Sequence, residues 1–263
     1  METKKRNLKG SIIPVIVLVL WQYASIRELV PEYLLPSPLK LAFIGWDFMT
    51  GALDLTPYSG TFFKHFSASV GRVAAGFLIA SALGIILGYS SGRSRTFNEL
   101  VNPILNGVKA VPGIGWLPVA LVWFGVGQKT TVFLISLAAF FPVYMNTCMG
   151  AMRVPEIYIK SARMMGASKS RIWTTVIIPA SIDSLLAGLR LAMGVSWAYL
   201  VLGEITGVAE GLGAVMMDGR MLGHVDVVIM TMILIAVLGW LCDCMLTGIF
   251  RLSSKIGGRH YVL

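Results

Sequence analysis

SARMMGASKSRIWTTVIIPAS, residues 161–181, lies between two segments apolar enough to cross a membrane, yet it cannot cross one itself. Arg163, Lys169 and Arg171, with Lys160 just upstream, are set among apolar residues, and Gly166 and Pro179 punctuate the run. A plain connector between membrane helices needs neither this length nor this pattern. Two short helices are predicted here. The first follows Pro155, which suits a first helical turn; Glu156 complements the positive N-terminal end, and Gly166 is a natural stop. The second starts from a serine cap at Ser168 or Ser170 and is expected to break at Pro179. A glycine-hinged amphipathic pair under a membrane domain either rests on the lipid surface or fits apolar knobs into a groove on a partner.

That a membrane surrounds this stretch follows from composition. Of 263 residues, 56% are hydrophobic and only 13% charged, about half the charge of an ordinary soluble domain. Too little polar surface remains to cover a water-soluble fold of this size, so the chain is read as an all-α integral membrane protein. The net charge of +9 is assigned to cations flanking the spans rather than to nucleic-acid binding. The first apolar run is long and lacks a small-residue cleavage site, so it is not read as a cleavable signal peptide. Cys148, Cys242 and Cys244 lie in apolar runs without metal-site spacing and read as packing residues.

A span needs about 20 mostly apolar residues. Five runs qualify directly, at 11–30, 65–89, 130–152, 182–205 and 227–250. A sixth, 100–126, is interrupted by AVPGIGWLP and is expected to be broken or kinked. Six spans place both termini on one side. With that side cytoplasmic, fourteen of the 22 cations fall inside, among them Lys4, Lys5, Arg6, Lys9, Arg93, Arg95, Arg251, Lys255 and Arg259. The acids Glu32, Asp47, Asp54, Glu210, Asp218 and Asp226 fall outside, as the positive-inside rule requires. The opening stretch is therefore a cytoplasmic loop, 153–181. Ala80, Gly84 and Gly88, at four-residue spacing, give the second span a bare face for close helix packing.

The loop resembles the cytoplasmic signature of permease subunits in binding-protein-dependent ABC importers. Lys160, Ser161 and Ala162 stand at its Glu-Ala-Ala positions, Gly166 at its glycine, and Val176, Ile178 and Pro179 at its closing Ile-x-Leu-Pro. Lys160 replaces the usual acid. The flanks resemble the sulfonate, nitrate and taurine branch over nearly the whole chain. They include LPSP at 35–38, Arg72 with Gly76 and Phe77, SGRSR at 91–95 and PGIGWLPVALVWFGVG at 112–127. FFPVYMNT at 140–147, GLRLAMGVSW at 188–197, the Gly203-Glu204 pair and GLG at 211–213 continue in order.

The resemblance implies six transmembrane helices of the type I ABC importer permease fold with a coupling-helix loop. The chain divides into an N-terminal part, 1–60 (tail, first helix and external connector), a core permease domain, 61–252, and a cytoplasmic tail, 253–263. Lys160, Ser161, Ala162, Arg163, Met164, Met165, Gly166, Val176, Ile178 and Pro179 then form the docking element. Met164 and Met165 suit a knob that stays packed while its socket moves. The implied partners are a second copy of the chain, two ATP-binding cassette subunits on the cytoplasmic side, an extracytoplasmic solute-binding protein and membrane lipids, with no nucleic acid. The implied location is the bacterial cytoplasmic (inner) membrane.

No Gly-Lys pair occurs, so there is no phosphate-binding loop, and His65, His224 and His260 are scattered. The chain is not read as an enzyme; no cofactor or metal is expected in it, and ATP and Mg belong to the partner ATPase. Ionisable residues inside spans are candidates for the transport route. Lys109 and Arg190 would attract an anion, yet both read near the cytoplasmic ends of their spans, where a long side chain can snorkel. Glu204 stands at the outer end of the fifth span. Asn146 and Trp116 are weaker candidates, for a polar contact and a gate. Residues 206–223 read as an outer loop facing a binding protein. The expected solute is an aliphatic sulfonate or taurine-like anion, with nitrate, bicarbonate or a vitamin or pyrimidine precursor as alternatives. A secondary transporter is the rival of another class, but the internal repeat and midplane carboxylates typical of one are not found.

Overall fold

The computed structural model describes residues 2–256 and the side chains of 12–250. The side chains of Lys4, Lys5, Arg6, Lys9, Arg251 and Lys255, and most of the 253–263 tail with Arg259, lie outside the described residues. The described chain is helical throughout its regular structure. It comprises α1 (Glu2–Ile26), α2 (Pro38–Thr50), α3 (Phe62–Arg93), α4 (Arg95–Ala110), α5 (Leu117–Phe124), α6 (Gln128–Met152), α7 (Glu156–Met164), α8 (Lys169–Ile172), α9 (Ile178–Glu204), α10 (Leu212–Met221) and α11 (Val225–Ile256). A 3₁₀ turn, Gly113–Trp116, precedes α5, and a π-helical turn, Trp173–Ile177, joins α8 to α9.

The apolar runs become helices, with differences at the edges. Among the described residues four helices are long and apolar enough to cross a membrane, and α4 with α5 makes a fifth if counted as one broken span, bent by 88°. The apolar part of α1 is the shorter Ile12–Ile26, and the chain turns after it rather than continuing to residue 30. The 31–60 connector contains α2, and 206–223 contains α10; at 13 and 10 residues both are too short to span.

Two compact units are present. One comprises residues up to Ala68 with Glu210–Ile235. Here α2 starts at Ser37, whose hydroxyl accepts from the Lys40 amide, with Pro38 in the first turn. Leu41, Ile44 and Phe48 face inward. Asp47, on the same helix, is buried and organises the following loop: its carboxylate accepts from the amides of Leu53, Asp54 and Leu55 at 2.8–2.9 Å and from the Ser59 hydroxyl. Burial pushes this carboxyl up, but the Ser59 hydroxyl and the three amides outweigh it and hold it below the usual carboxylate range. A depressed value means the stabilisation is complete above the ordinary carboxylate range and is lost only as pH falls through the lowered value. Asp47→Asn removes it at every pH. At pH 7 the amides of Leu53, Asp54 and Leu55 are expected to exchange with deuterium about tenfold faster in that variant; unchanged exchange would show that the loop holds without the charge.

The other unit comprises Ser69–Ala209 with the chain from Ala236 onward. Its centre is set by small residues. A Cβ added at Gly76, Gly84, Gly88 or Gly92 of α3 would lie within 2.5–2.8 Å of Ile135, Val143, Thr147 or Ala151 of α6. Both series step by multiples of four residues and rise together, so α3 and α6 run in the same direction along one bare-backbone seam. The seam extends the Ala80, Gly84, Gly88 face at both ends. Gly150, Gly188 and Gly203 do the same for α6 against α9: they meet Ser184, Asn146 and Thr131, and the falling numbers make that pair antiparallel. Two parallel spans require the chain between them to return, so α4 and α5 together carry it back.

Candidate functional site

The loop after α6 is built around α7. Ile159 and Ala162, three residues apart on one face, are buried with Tyr89, Ala151, Val154, Ile172 and Ile177. The opposite face carries Ile157, Tyr158, Met164 and Met165 into the open; the two methionines are 87% and 81% exposed. The helix ends in a Schellman motif: the Ala167 amide donates to the Ala162 carbonyl at 3.0 Å and the Gly166 amide to Arg163 at 2.9 Å. Gly166 takes the left-handed conformation this needs, with φ +78°. Ser168 then caps α8, accepting from the Arg171 amide. Lys160 sits one turn after Glu156, 3.6 Å away, on the exposed surface. Of the loop residues singled out, Lys160, Ser161, Arg163, Met164, Met165 and Gly166 are exposed and Ala162 is the buried anchor.

Pro179 does not break the second helix. From Lys169 to Glu204 the chain is one continuous helical run, so Val176, Ile178 and Pro179 belong to the base of a span rather than to the loop. The π turn makes this possible. The Ile178 amide reaches back five residues to Trp173, and the looser register relieves the clash between a proline ring and the carbonyl four residues earlier.

The charged residues within spans separate into distinct situations. Glu204 is wholly buried; Arg72 Nη1 donates to its Oε1 at 2.5 Å, and the Ser69 hydroxyl lies 2.8 and 3.0 Å from its two oxygens. Arg190 stands near the middle of α9, not near an end, and forms a two-pronged pair with Asp243 of α11, at 2.9 and 2.8 Å. Lys109, in the last turn of α4, directs its amine at the sulfur of Met145, 3.1 Å away. With Trp116, Phe141, Val195, Tyr199 and others it lines a recess of about 160 Å³. Asn146 is turned back on its own helix, donating to the Pro142 carbonyl at 2.9 Å. The structure thus brings Lys109 and Trp116 together and leaves Arg190, Asn146 and Glu204 elsewhere. Among the described residues no cluster of His, Cys, Asp or Glu is arranged to hold a metal.

Asp243 and Tyr199 were not singled out from sequence. Asp243, in Cys-Asp-Cys inside the last apolar run, was the available signal, since an isolated acid in a span calls for a cation. A double-mutant cycle separates its roles. Arg190→Gln and Asp243→Asn should each lower the melting temperature of the purified chain, and the double variant should recover part of it through a coupling of about 0.5–3 kcal/mol. Additive losses would show that the pair contributes nothing as a pair.

The family of binding-protein-dependent transport system inner membrane components matches residues 80–254. The chain is 30% identical over 249 residues to the taurine transport system permease protein TauC of Escherichia coli, covering 95% of this chain and 89% of that one. It is 31% identical over 252 residues to the bicarbonate transport system permease protein CmpB of Synechococcus elongatus, covering 91% and 88%. A structure of the MetNI methionine ABC transporter in an inward-facing conformation superposes with a TM-score of 0.58 at 19% identity, over 73% of this chain and 93% of that one.

Proposed function

Because the chain belongs to the binding-protein-dependent transport system inner membrane components and is a multi-pass permease subunit of an ABC importer, we propose that it carries a small anion, an aliphatic sulfonate or taurine-like solute, through a homodimer. In this reading two separate ATP-binding cassette subunits, holding ATP and Mg, sit on the cytoplasmic face. A solute-binding protein delivers from the other side of the bacterial inner membrane, and both termini are cytoplasmic. The observation that carries the coupling is the exposure of Met164 and Met165 at the tip of a loop anchored by Ile159 and Ala162. Four large apolar side chains on one short helix face are a cost in water and suit a groove in a partner. Arg163, Lys169 and Arg171, exposed beside them, suit anionic lipid headgroups or an acidic rim.

The solute is inferred from kinship: the relatives named above are described as taking taurine and bicarbonate. The test is purification with the co-expressed ATPase, followed by competition for labelled taurine uptake by methanesulfonate, nitrate, bicarbonate and an uncharged pyrimidine. Two copies of this chain per two ATPases, and inhibition by sulfonates before the others, are expected. A stable complex with a second, different permease chain would overturn the homodimer. Preferential inhibition by the pyrimidine would overturn the anion.

A further inference from the structure

The three cations inside the apolar helices are not equivalent. Arg72 is held by Glu204 and Arg190 by Asp243. Lys109 has the Met145 thioether at 3.1 Å, and among the described residues no carboxylate lies within ion-pair distance of it. A thioether is a weak acceptor, and the Lys109 side chain is exposed at the recess, so its charge is open to an anion there. Snorkelling does not explain the placement, because Leu137, Ala138 and Phe141, which line the same recess, lie close to the midpoint of α6. Tyr199 brings a second donor to the recess. Its hydroxyl lies against the bare backbone of Gly113, where an added Cβ would stand 1.7 Å away, and among the described residues it makes no hydrogen bond.

The helix that carries Lys109 has a polar face. Asn98, Asn102, Asn106 and Lys109 recur at the spacing of one helix face, with Arg95 and Glu99 at its start. The Asn106 amide donates to Asn102 at 3.3 Å. The opposite face of α4 carries Leu100 and Ile104, both largely exposed. A helix of this pattern within a transport domain needs water along its polar face. We infer that the recess is an anion-binding site on the transport route: Lys109 supplies the charge, Tyr199 a hydroxyl donor, and the α4 asparagines a hydrated approach. The inference rests on the reading of the chain as an importer of small anions, and it separates Lys109 from Arg190, whose charge Asp243 already answers.

The test uses the complete complex in proteoliposomes (this chain, its ATPase and its binding protein), with taurine and bicarbonate as probes and co-purification of the ATPase as the measure of assembly. Lys109→Gln should lower uptake of the transported probe about tenfold or more, Lys109→Arg should keep it within about threefold, and Tyr199→Phe should lower it about threefold. Wild-type uptake by an assembled Lys109→Gln complex overturns the site, as does a Lys109→Arg loss equal to that of Gln. If Lys109→Gln does not assemble, Tyr199→Phe decides, and unchanged uptake in it overturns the site. A wild-type complex that takes up none of taurine, methanesulfonate, nitrate and bicarbonate overturns the anion reading together with the site, whereas wild-type uptake indifferent to these variants overturns the site alone.

Discussion

Gly166→Val is expected to leave the chain inserted in the membrane while weakening its hold on the ATPase and abolishing uptake. Gly166 sits at φ +78°, and among the described residues nothing beyond its chain neighbours lies within 4 Å of where a Cβ would stand, so no clash with them is expected. The cost is conformational: a non-glycine residue pays roughly 1 kcal/mol or more there, and a β-branched one is a genuine outlier. That strain falls on the two hydrogen bonds that end α7 and aim Met164 and Met165. Gly113→Ala is the contrasting variant. Its methyl would run into the Tyr199 hydroxyl, far from the loop, so uptake should fall while ATPase binding is kept. A pull-down beside a transport assay on both variants checks this. Normal ATPase binding and full uptake by Gly166→Val would show that the α7 loop is not the docking element.

Glu204→Gln is expected to be more damaging to the fold itself. The carboxylate is completely buried between the Arg72 guanidinium and the Ser69 hydroxyl. Removing one partner of a buried pair strands the other charge and costs about 3–5 kcal/mol, a large share of the roughly 5–15 kcal/mol that holds a typical domain together. The yield of assembled complex should collapse. Combining the change with Arg72→Met should recover part of it, because the stranded charge is then gone. Size-exclusion profiles of the three proteins in detergent decide it. A Glu204→Gln protein that assembles normally and loses only uptake would instead place Glu204 on the transport route.

Much of this was legible in the sequence because the deciding signals are local. Apolar length marked the long helices, the prolines and glycines at 112–118 marked the break before α5, and Pro155 and Gly166 bounded α7 to within two residues of its observed ends. The four-residue recurrence of small residues foretold the α3 seam. What was missed depends on partners distant in sequence. Arg190 read as a free cation because its carboxylate, Asp243, comes 53 residues later. Pro179 read as a helix break because the π turn that accommodates it has no simple sequence signature. The polar stripe of α4 recurs at helical spacing, but its second half overlaps the apolar run at 100–126, which hides it. Tyr199, an ordinary aromatic by sequence, gains interest only where α9 brings it beside Gly113 and Lys109.

One reconstitution decides whether this chain is the passage of an ATP-driven importer rather than a transporter driven by an ion gradient. Labelled taurine accumulation is measured in proteoliposomes holding the chain with its ATPase and binding protein, with ATP supplied to the face that carries α7. Accumulation that requires ATP, the ATPase and the binding protein together is predicted, with no response to an imposed proton or sodium gradient. Accumulation by the chain alone, driven by such a gradient and indifferent to ATP, would contradict the account.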